Sequence, residues 1–465
     1  MQRSASQSYP VRARILGLVA VALVSGVGVP GRSIGAESRG MVASWRSPAA
    51  SGDARSERIR DLGLRDRHLV IGYRPGVWQS RHAVRARCGL EQSVRTFPGI
   101  HAEVAFVPFS RLFERAAACV ASDPRVAFVE TDQVVYLALN DLQWNFENVG
   151  QRGGTVDADV DGPEAWNLSS DCSSVVVAVI DTGIDIEHPD LAANLWINPG
   201  EAAERSANGV DDDGNGHVDD WAGWNFRDDD NDIHDHVGHG THVAGIIGAQ
   251  GNTDVAVQGV CHSVQLMPLV TFGFKMGLTS DVVAAFMYAV TQGADIINAS
   301  FAGVRSSALF ERALTYAAEM GVLVVLAAGN DSVDLDGAGG GGSGAGDLVV
   351  PDNVLVVAAT DRYDELADFS NYGPESVQVA APGSSIYSTF PPGTYRSLSG
   401  TSMAVPHVSG AAALVLQRNP CMTPEEVRLL LMESSDRLEG FEACVGSGGR
   451  LNLYRALLET TTCGG

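Results

Sequence analysis

The sequence predicts an α/β fold, a parallel sheet with helices on both faces, for residues 140–465, preceded by a small α+β unit at 67–139. Three observations carry that expectation. Val175-Val-Val-Ala-Val-Ile180 is a continuous apolar run between Ser174 and Asp181, the pattern of a strand buried on both sides. Shorter apolar runs at 294–299, 322–327 and 354–358 have the same character. Segments of helical period precede the runs at 294–299 and 322–327, and strands alternating with helices at this spacing pair in parallel through right-handed crossovers.

Taken in order, the elements read as follows. Arginines at 3, 12 and 14, an apolar stretch from Ile15 to Val24 and small residues up to Ala36 describe an export signal over 1–36 better than a membrane span. Residues 37–66 are a polar, arginine-rich linker. "HLVIGYRPGV", a helical stretch near 109–121 and "VAFVETDQVVYL" supply strand, helix and strand for the unit at 67–139. A turn-rich joint, "NDLQWNFENVGQRGG", follows. Ser280 is expected to cap a helix whose Val282, Ala285, Phe286, Ala289 and Val290 share one face. Leu309, Phe310, Ala313, Leu314 and Ala317 mark the next helix. Thr423-Pro-Glu-Glu426 is a capping box with proline in the first turn, opening a helix to Ser434. "GAGGGGSGAG" at 337–346 holds no packed element and reads as a flexible loop.

With 465 residues, 45% of them hydrophobic, the chain can bury a full core. Its net charge of −24 is divided unevenly. Residues 1–139 carry 19 Lys+Arg against 11 Asp+Glu, a balance of +8, and residues 140–465 carry 13 against 45, a balance of −32. So acidic a body repels nucleic acid and anionic lipid, which argues against either as a partner. No segment after the signal is long and apolar enough to span a bilayer, so no membrane association is expected once the signal is removed. The seven cysteines suit an oxidising compartment without fixing a pairing, and at least one of the five after residue 140 is left free or pairs elsewhere. Cys261, in an apolar run, reads as a small buried residue.

The chemistry-bearing residues stand at element boundaries. Asp181 ends the first buried strand, His239 lies in "HVGHGTHVAGIIGA", and Ser402 opens a helix in "SGTSMAVPHVSG". Ser402 could simply cap that helix, or it could be a nucleophile whose own N–H faces the charge it creates. His236, His239 and His242 do not form an H-E-x-x-H arrangement, which argues against zinc. In the acidic stretch at 208–220, Asp211, Asp213, Asn215 and Asp219 follow the spacing of the first part of an EF-hand loop, with Gly216 at a turn. Ala222 replaces the expected twelfth-position glutamate, and calcium, in a structural role, is the ion these ligands would hold.

Four separated segments, "VAVIDTGIDIEHPDL", "HGTHVAGIIGA", "AAGN" and "SGTSMAVPHVSGAAALV", resemble the subtilase family of serine endopeptidases over most of residues 145–455. The resemblance implies a subtilisin-like fold and a secreted, monomeric enzyme that cuts protein or peptide substrates through an Asp-His-Ser triad and an acyl-enzyme. Ser402 would attack, His239 would move the proton, Asp181 would orient the imidazole, and Asn330 would donate to the oxyanion. Ser300, Phe301, Ala302 and Gly303 would form one wall of the substrate pocket, and Ala327, Ala328 and Gly329 the other. Ala302 stands where the family usually has glycine, and the loop before residue 354 lacks the proline-containing segment expected there. Residues 67–139 resemble an inhibitory propeptide, the chain's own partner until it is cut off near residues 137–143.

Overall fold

The computed structural model describes residues 68–463 apart from 92, 109–111, 132–141, 203–204, 252–256, 275, 304–306 and 338–349. The expected export signal, the linker and most of the glycine-rich loop therefore lie outside the described residues, as does much of the expected cut region. Two compact units are present, 68–131 and 142–463.

The first unit contains β1 (His68–Tyr73), α1 (Arg81–Cys88), β2 (Ser93–Phe97), β3 (Ala102–Phe106), α2 (Phe113–Ala121) and β4 (Val126–Thr131). Its antiparallel sheet has the order β2-β3-β1-β4, the split βαβ arrangement. The sequence reading found three of these six elements. It missed α1, whose polar composition hides its apolar stripe, and the short β2 and β3. Leu69, Ile71, Val84, Ala117 and Val120 form a separate core, and a Cys88–Cys119 disulfide ties α1 to α2.

The second unit contains α3 (Gly162–Trp166), β5 (Asp171–Asp181), β6 (Trp224–Asn225), α4 (His239–Gly248), β7 (Ser263–Val270), α5 (Thr279–Thr291), β8 (Ile296–Ala299), α6 (Ala308–Glu319) and β9 (Leu323–Ala327). It continues with β10 (Val354–Thr360), β11 (Val379–Pro382), the hairpin β12 (Ile386–Phe390) and β13 (Thr394–Leu398), α7 (Thr401–Arg418), α8 (Pro424–Glu433), β14 (Asp436–Arg437), β15 (Gly449–Arg450) and α9 (Leu453–Glu459). The large sheet has the order β14-β15-β11-β10-β9-β8-β5-β7-β6, parallel throughout except at β14–β15. Alternate residues of β5 feed opposite cores. Val175, Val177 and Val179 pack with α4, α7, α8 and α9, whereas Val176, Ala178 and Ile180 pack with α5 and α6. That alternation is the expected sheet covered on both faces.

Local chemistry sets the helix ends. Thr423 and Glu426 form the reciprocal capping box, with Pro424 beginning α8. Ser280 is not a cap: α5 begins one residue earlier, its N-cap is Leu278, and the Ser280 hydroxyl donates to its neighbour Asp281. Cys261 is fully buried, as expected, and is bonded to Cys172, while Cys421 pairs with Cys463. Cys444 is the free thiol.

Candidate active site

The sheet starts in its middle. From β5 the chain adds β6 and β7 on one side and then crosses to build β8 to β11 on the other, so a topological switch point lies at the carboxyl end of β5, where ligands bind in open α/β sheets. Asp181 is the last residue of β5, only 3% exposed. His239 opens α4, and its Nδ1 lies 2.8 and 2.9 Å from the two Asp181 carboxylate oxygens. A carboxylate only accepts, so Nδ1 carries the hydrogen and a neutral ring keeps its lone pair on Nε2. The approach is close because Gly240 lacks a side chain: a Cβ there would meet the Gly183 carbonyl at 2.2 Å. Burial would lower the His239 pKa, but the Asp181 charge and hydrogen bond, with a further contribution from Asp235, leave it raised above the ordinary imidazole value.

Ser402 is the second residue of α7, after Thr401, and is not its cap; Gly400 holds that position. Its N–H belongs to the unsatisfied first turn of the helix. Pro406 lies four residues on and has no N–H, so the Ser402 carbonyl lacks its usual helical donor. Ser300 Oγ takes that place, donating to Ser402 O at 3.0 Å. Asn298 Nδ2 donates to Ser300 Oγ at 3.0 Å, and Ser409, two turns along α7, donates to Asn298 Oδ1 at 2.9 Å. This buried chain clamps the start of α7 to the exit of β8. The Ser402 hydroxyl donates to the Ser300 carbonyl at 2.8 Å, and no hydrogen bond joins it to His239 in this structure. A χ1 rotation between staggered wells separates this hydroxyl position from others available to it.

Asn330 follows β9 and is exposed. The Thr401 N–H and hydroxyl donate to Asn330 Oδ1 at 2.8 and 3.1 Å. Because a backbone N–H can only donate, the amide is oriented with its oxygen toward Thr401 and its NH₂ directed elsewhere. A Cβ placed on Gly400 would lie 3.7 Å from Asn330 Nδ2, from Asn330 Oδ1 and from the Ser402 nitrogen, so the Asn330 amide and the start of α7 both adjoin Gly400.

The two expected pocket walls differ. Ala327, Ala328 and Gly329 are buried, and Asn371 bonds to the carbonyls of both Ala328 and Gly329. Ser300 is buried, and Phe301 packs against Phe272 and Phe310, with ring centroids 5.1 and 6.4 Å apart. Ala302 and Gly303 are exposed, and among the described residues the backbone of 301–303 makes no hydrogen bond. Such a free edge can pair with an extended peptide.

The acidic loop is arranged differently from its sequence spacing. Asp211 accepts from the N–H groups of Gly214, Asn215 and Gly216, and Asp219 from those of Asn208 and Gly209, so both carboxylates close turns. Asp213 instead joins Glu201 and Asp220, with one oxygen of each within 4.8 Å of the others. Asn198 donates to Asp213 and Asp220, and Asn215 donates to the same pair. Glu201 is fully buried, its Oε2 has no partner, and no Lys or Arg pairs with the three acids among the described residues. Hard oxygen donors, excess negative charge and an orphaned buried oxygen fit a divalent cation such as calcium. Asp220 adjoins the expected ligand Asp219 in sequence, whereas Glu201 lies too far upstream for any spacing rule to find. Asn298-x-Ser300 at the end of an apolar strand, and Ser409 seven residues after Ser402, are signals the sequence offered for the clamp.

A buried carboxylate bonded to an imidazole and a serine at a helix start are groups that hydrolysis by an activated serine would use. The subtilase family model matches residues 173–451, and the chain belongs to that family; it is a serine endopeptidase. It is 32% identical to thermitase of Thermoactinomyces vulgaris over 299 residues, spanning 64% of this chain and 93% of thermitase. An alkaline protease of Shouchella clausii is 34% identical over 332 residues, 70% of this chain and 73% of the relative. A solved protease from Pseudoalteromonas arctica superposes with a TM-score of 0.54 at 28% identity, covering 69% of this chain and 98% of its own.

Proposed function

We propose that the chain is an exported, monomeric endopeptidase that matures by losing its front unit and cuts peptide bonds with Ser402, His239 and Asp181. The observation that carries this reading is the Asp181–His239 pair, with Nδ1 protonated and Nε2 free to take a proton. In the first step Ser402 Oγ turns from the Ser300 carbonyl toward His239 Nε2, gives up its proton and adds to the scissile carbonyl. The Asn330 amide and the Ser402 N–H then stabilise the tetrahedral oxyanion. Imidazolium, favoured by Asp181, passes the proton to the leaving amine, and water attacks the acyl-enzyme by the same route. Residues 301–303 pair with the substrate backbone, and 327–329 close the opposite wall.

Three disulfides support an oxidising, extracytoplasmic destination. Among the described residues no helix is long and apolar enough to cross a membrane. The separate core of residues 68–131 and the basic balance of residues 1–139 support the reading of 67–139 as a removable inhibitory propeptide. Glu201, Asp213 and Asp220 would hold calcium, which when bound would offset most of their charge and brace the residues that carry them.

Expressing residues 37–465 with Ser402 intact and with Ser402→Ala, and weighing both products after incubation with calcium, tests the scheme. Loss of the front unit near residues 137–143 from the intact chain alone is expected. Equal cutting of both, or of neither, would contradict self-processing.

A further inference from the structure

Asp235, on the loop between β6 and α4, is 6% exposed, and the reaction scheme gives it no part. Its carboxylate accepts five hydrogen bonds. Oδ1 receives them from Thr182 Oγ1 at 2.9 Å, Val237 N at 2.9 Å and Gly238 N at 2.7 Å. Oδ2 receives them from Thr241 N at 2.9 Å and Thr241 Oγ1 at 2.7 Å. These donors flank both members of the Asp181–His239 pair. Thr182 follows Asp181, and its own N–H donates to Asp181 Oδ1 at 2.8 Å. Thr182 Oγ1 accepts from Gly240 N, next to His239, at 2.9 Å. Thr241 Oγ1 also accepts from Asp185 N at 2.9 Å, so the turn after β5 is tied to the same point.

Only an acceptor-only group satisfies all five donors, since an amide would turn an NH₂ toward N–H groups on one side. No Lys or Arg neutralises Asp235 among the described residues. Its charge is held by oriented N–H and O–H dipoles, in a low-dielectric setting where it acts strongly on its neighbours.

We propose that Asp235 is a positioning residue for peptide-bond hydrolysis: it holds Asp181 and His239 in register and adds a second negative charge that favours the imidazolium formed when Ser402 loses its proton. The inference rests on the triad assignment above. The charged and titratable groups facing His239 are Asp181 from β5, Asp235 from the preceding loop and His242 from its own helix. His242 is buried, with its pKa lowered to about 3 by burial, so it is neutral across the working range and the two aspartates set the field.

The test is kcat/KM against pH on a short chromogenic peptide for the intact enzyme, Asp235→Asn, Thr182→Val, Thr182→Ser and Ser402→Ala, each first shown by thermal melting to be folded. Asp235→Asn is expected to lower kcat/KM about 10- to 100-fold and to move the acid limb down by about half a pH unit or more, because removing an anion disfavours the imidazolium. Thr182→Val, which removes the bridging hydroxyl without altering charge, is expected to lower kcat/KM and leave the acid limb in place, and Thr182→Ser to restore the rate. An acid limb for Asp235→Asn that coincides with the parent's overturns the proposal, whatever the rate, because a purely structural role does not move it. Should Asp235→Asn fail to fold, equal activity of Thr182→Val and Thr182→Ser overturns it instead. Residual turnover by Ser402→Ala at the parental rate would sink the triad itself, whereas an inactive Ser402→Ala beside a parental Asp235→Asn profile sinks only the role of Asp235.

Discussion

The cleft and the acidic loop at 198–220 both bury carboxylates, but they satisfy them differently. In the cleft, Asp181 is bonded by His239 and Thr182, and Asp235 by five donors, all from the chain itself. In the loop, Glu201 keeps one oxygen without a partner and faces two more acids. The two carboxylates of the first region are preorganised by the chain's own hydrogen bonds, so in the proposed reaction it is the Ser402 hydroxyl, held by the Ser300 carbonyl, that has to turn. The second region is a set of like charges whose repulsion an added cation would relieve. Catalytic geometry and ion-dependent stability should therefore separate in experiments.

The largest effect expected is at the nucleophile. Ser402→Ala should lose on the order of 10⁶ in turnover, since triad members act as a unit. Next, Asn330→Ala should lower kcat by about 10²–10³ with KM little changed, because the amide meets charge that exists only in the transition state. A fall in KM-governed binding instead would place Asn330 outside the oxyanion space.

Chelation should act on the other region. Removing calcium is expected to lower the melting temperature, since an ion at a hundredfold excess over its Kd contributes about 2.7 kcal/mol to the folded state. Glu201→Gln with Asp220→Asn should abolish that calcium dependence; an unchanged response in the double variant would move the ion elsewhere.

Acid should weaken the fold without calcium being involved. His242 and His407 are buried, and burial lowers their pKa values to about 3 and about 4. Both titrate near 6.5 when unfolded, so the unfolded chain binds more protons below that pH. Stability is then full above about pH 6.5 and declines as pH falls toward the folded values, which melting curves from pH 7 to 4 would register. His239 carries the opposite sign, its pKa being raised, so the activity limb and the stability limb should not coincide.

How much of this was legible in the sequence follows from distance along the chain. Asp181 and Asn330 follow strands, and His239 and Ser402 lie at helix starts, whose apolar patterns are unmistakable, so each position was legible singly; what joined the four was the resemblance to the subtilase family. The parallel sheet was legible from the same patterns: Val175 to Ile180 is apolar on both faces. Asp235 was not, because an aspartate four residues before a histidine has no meaning until Thr182, 53 residues away, is folded against it. The acidic loop was legible only in part. Asp211 and Asp219 fit a ligand spacing, and in the fold their oxygens accept from nearby backbone N–H groups, whereas the cluster with an unpartnered oxygen joins Asp213 to Glu201 and Asp220. Glu201 and the Cys172–Cys261 pairing, which spans 89 residues, are purely tertiary facts.

The most direct test of the central claim is labelling by a fluorophosphonate, which reacts with a serine activated by a neighbouring base. At neutral pH the matured enzyme should take up one equivalent on Ser402, located by peptide mass mapping, and His239→Ala should take up none. Label on another serine, or unchanged labelling of His239→Ala, would contradict the account.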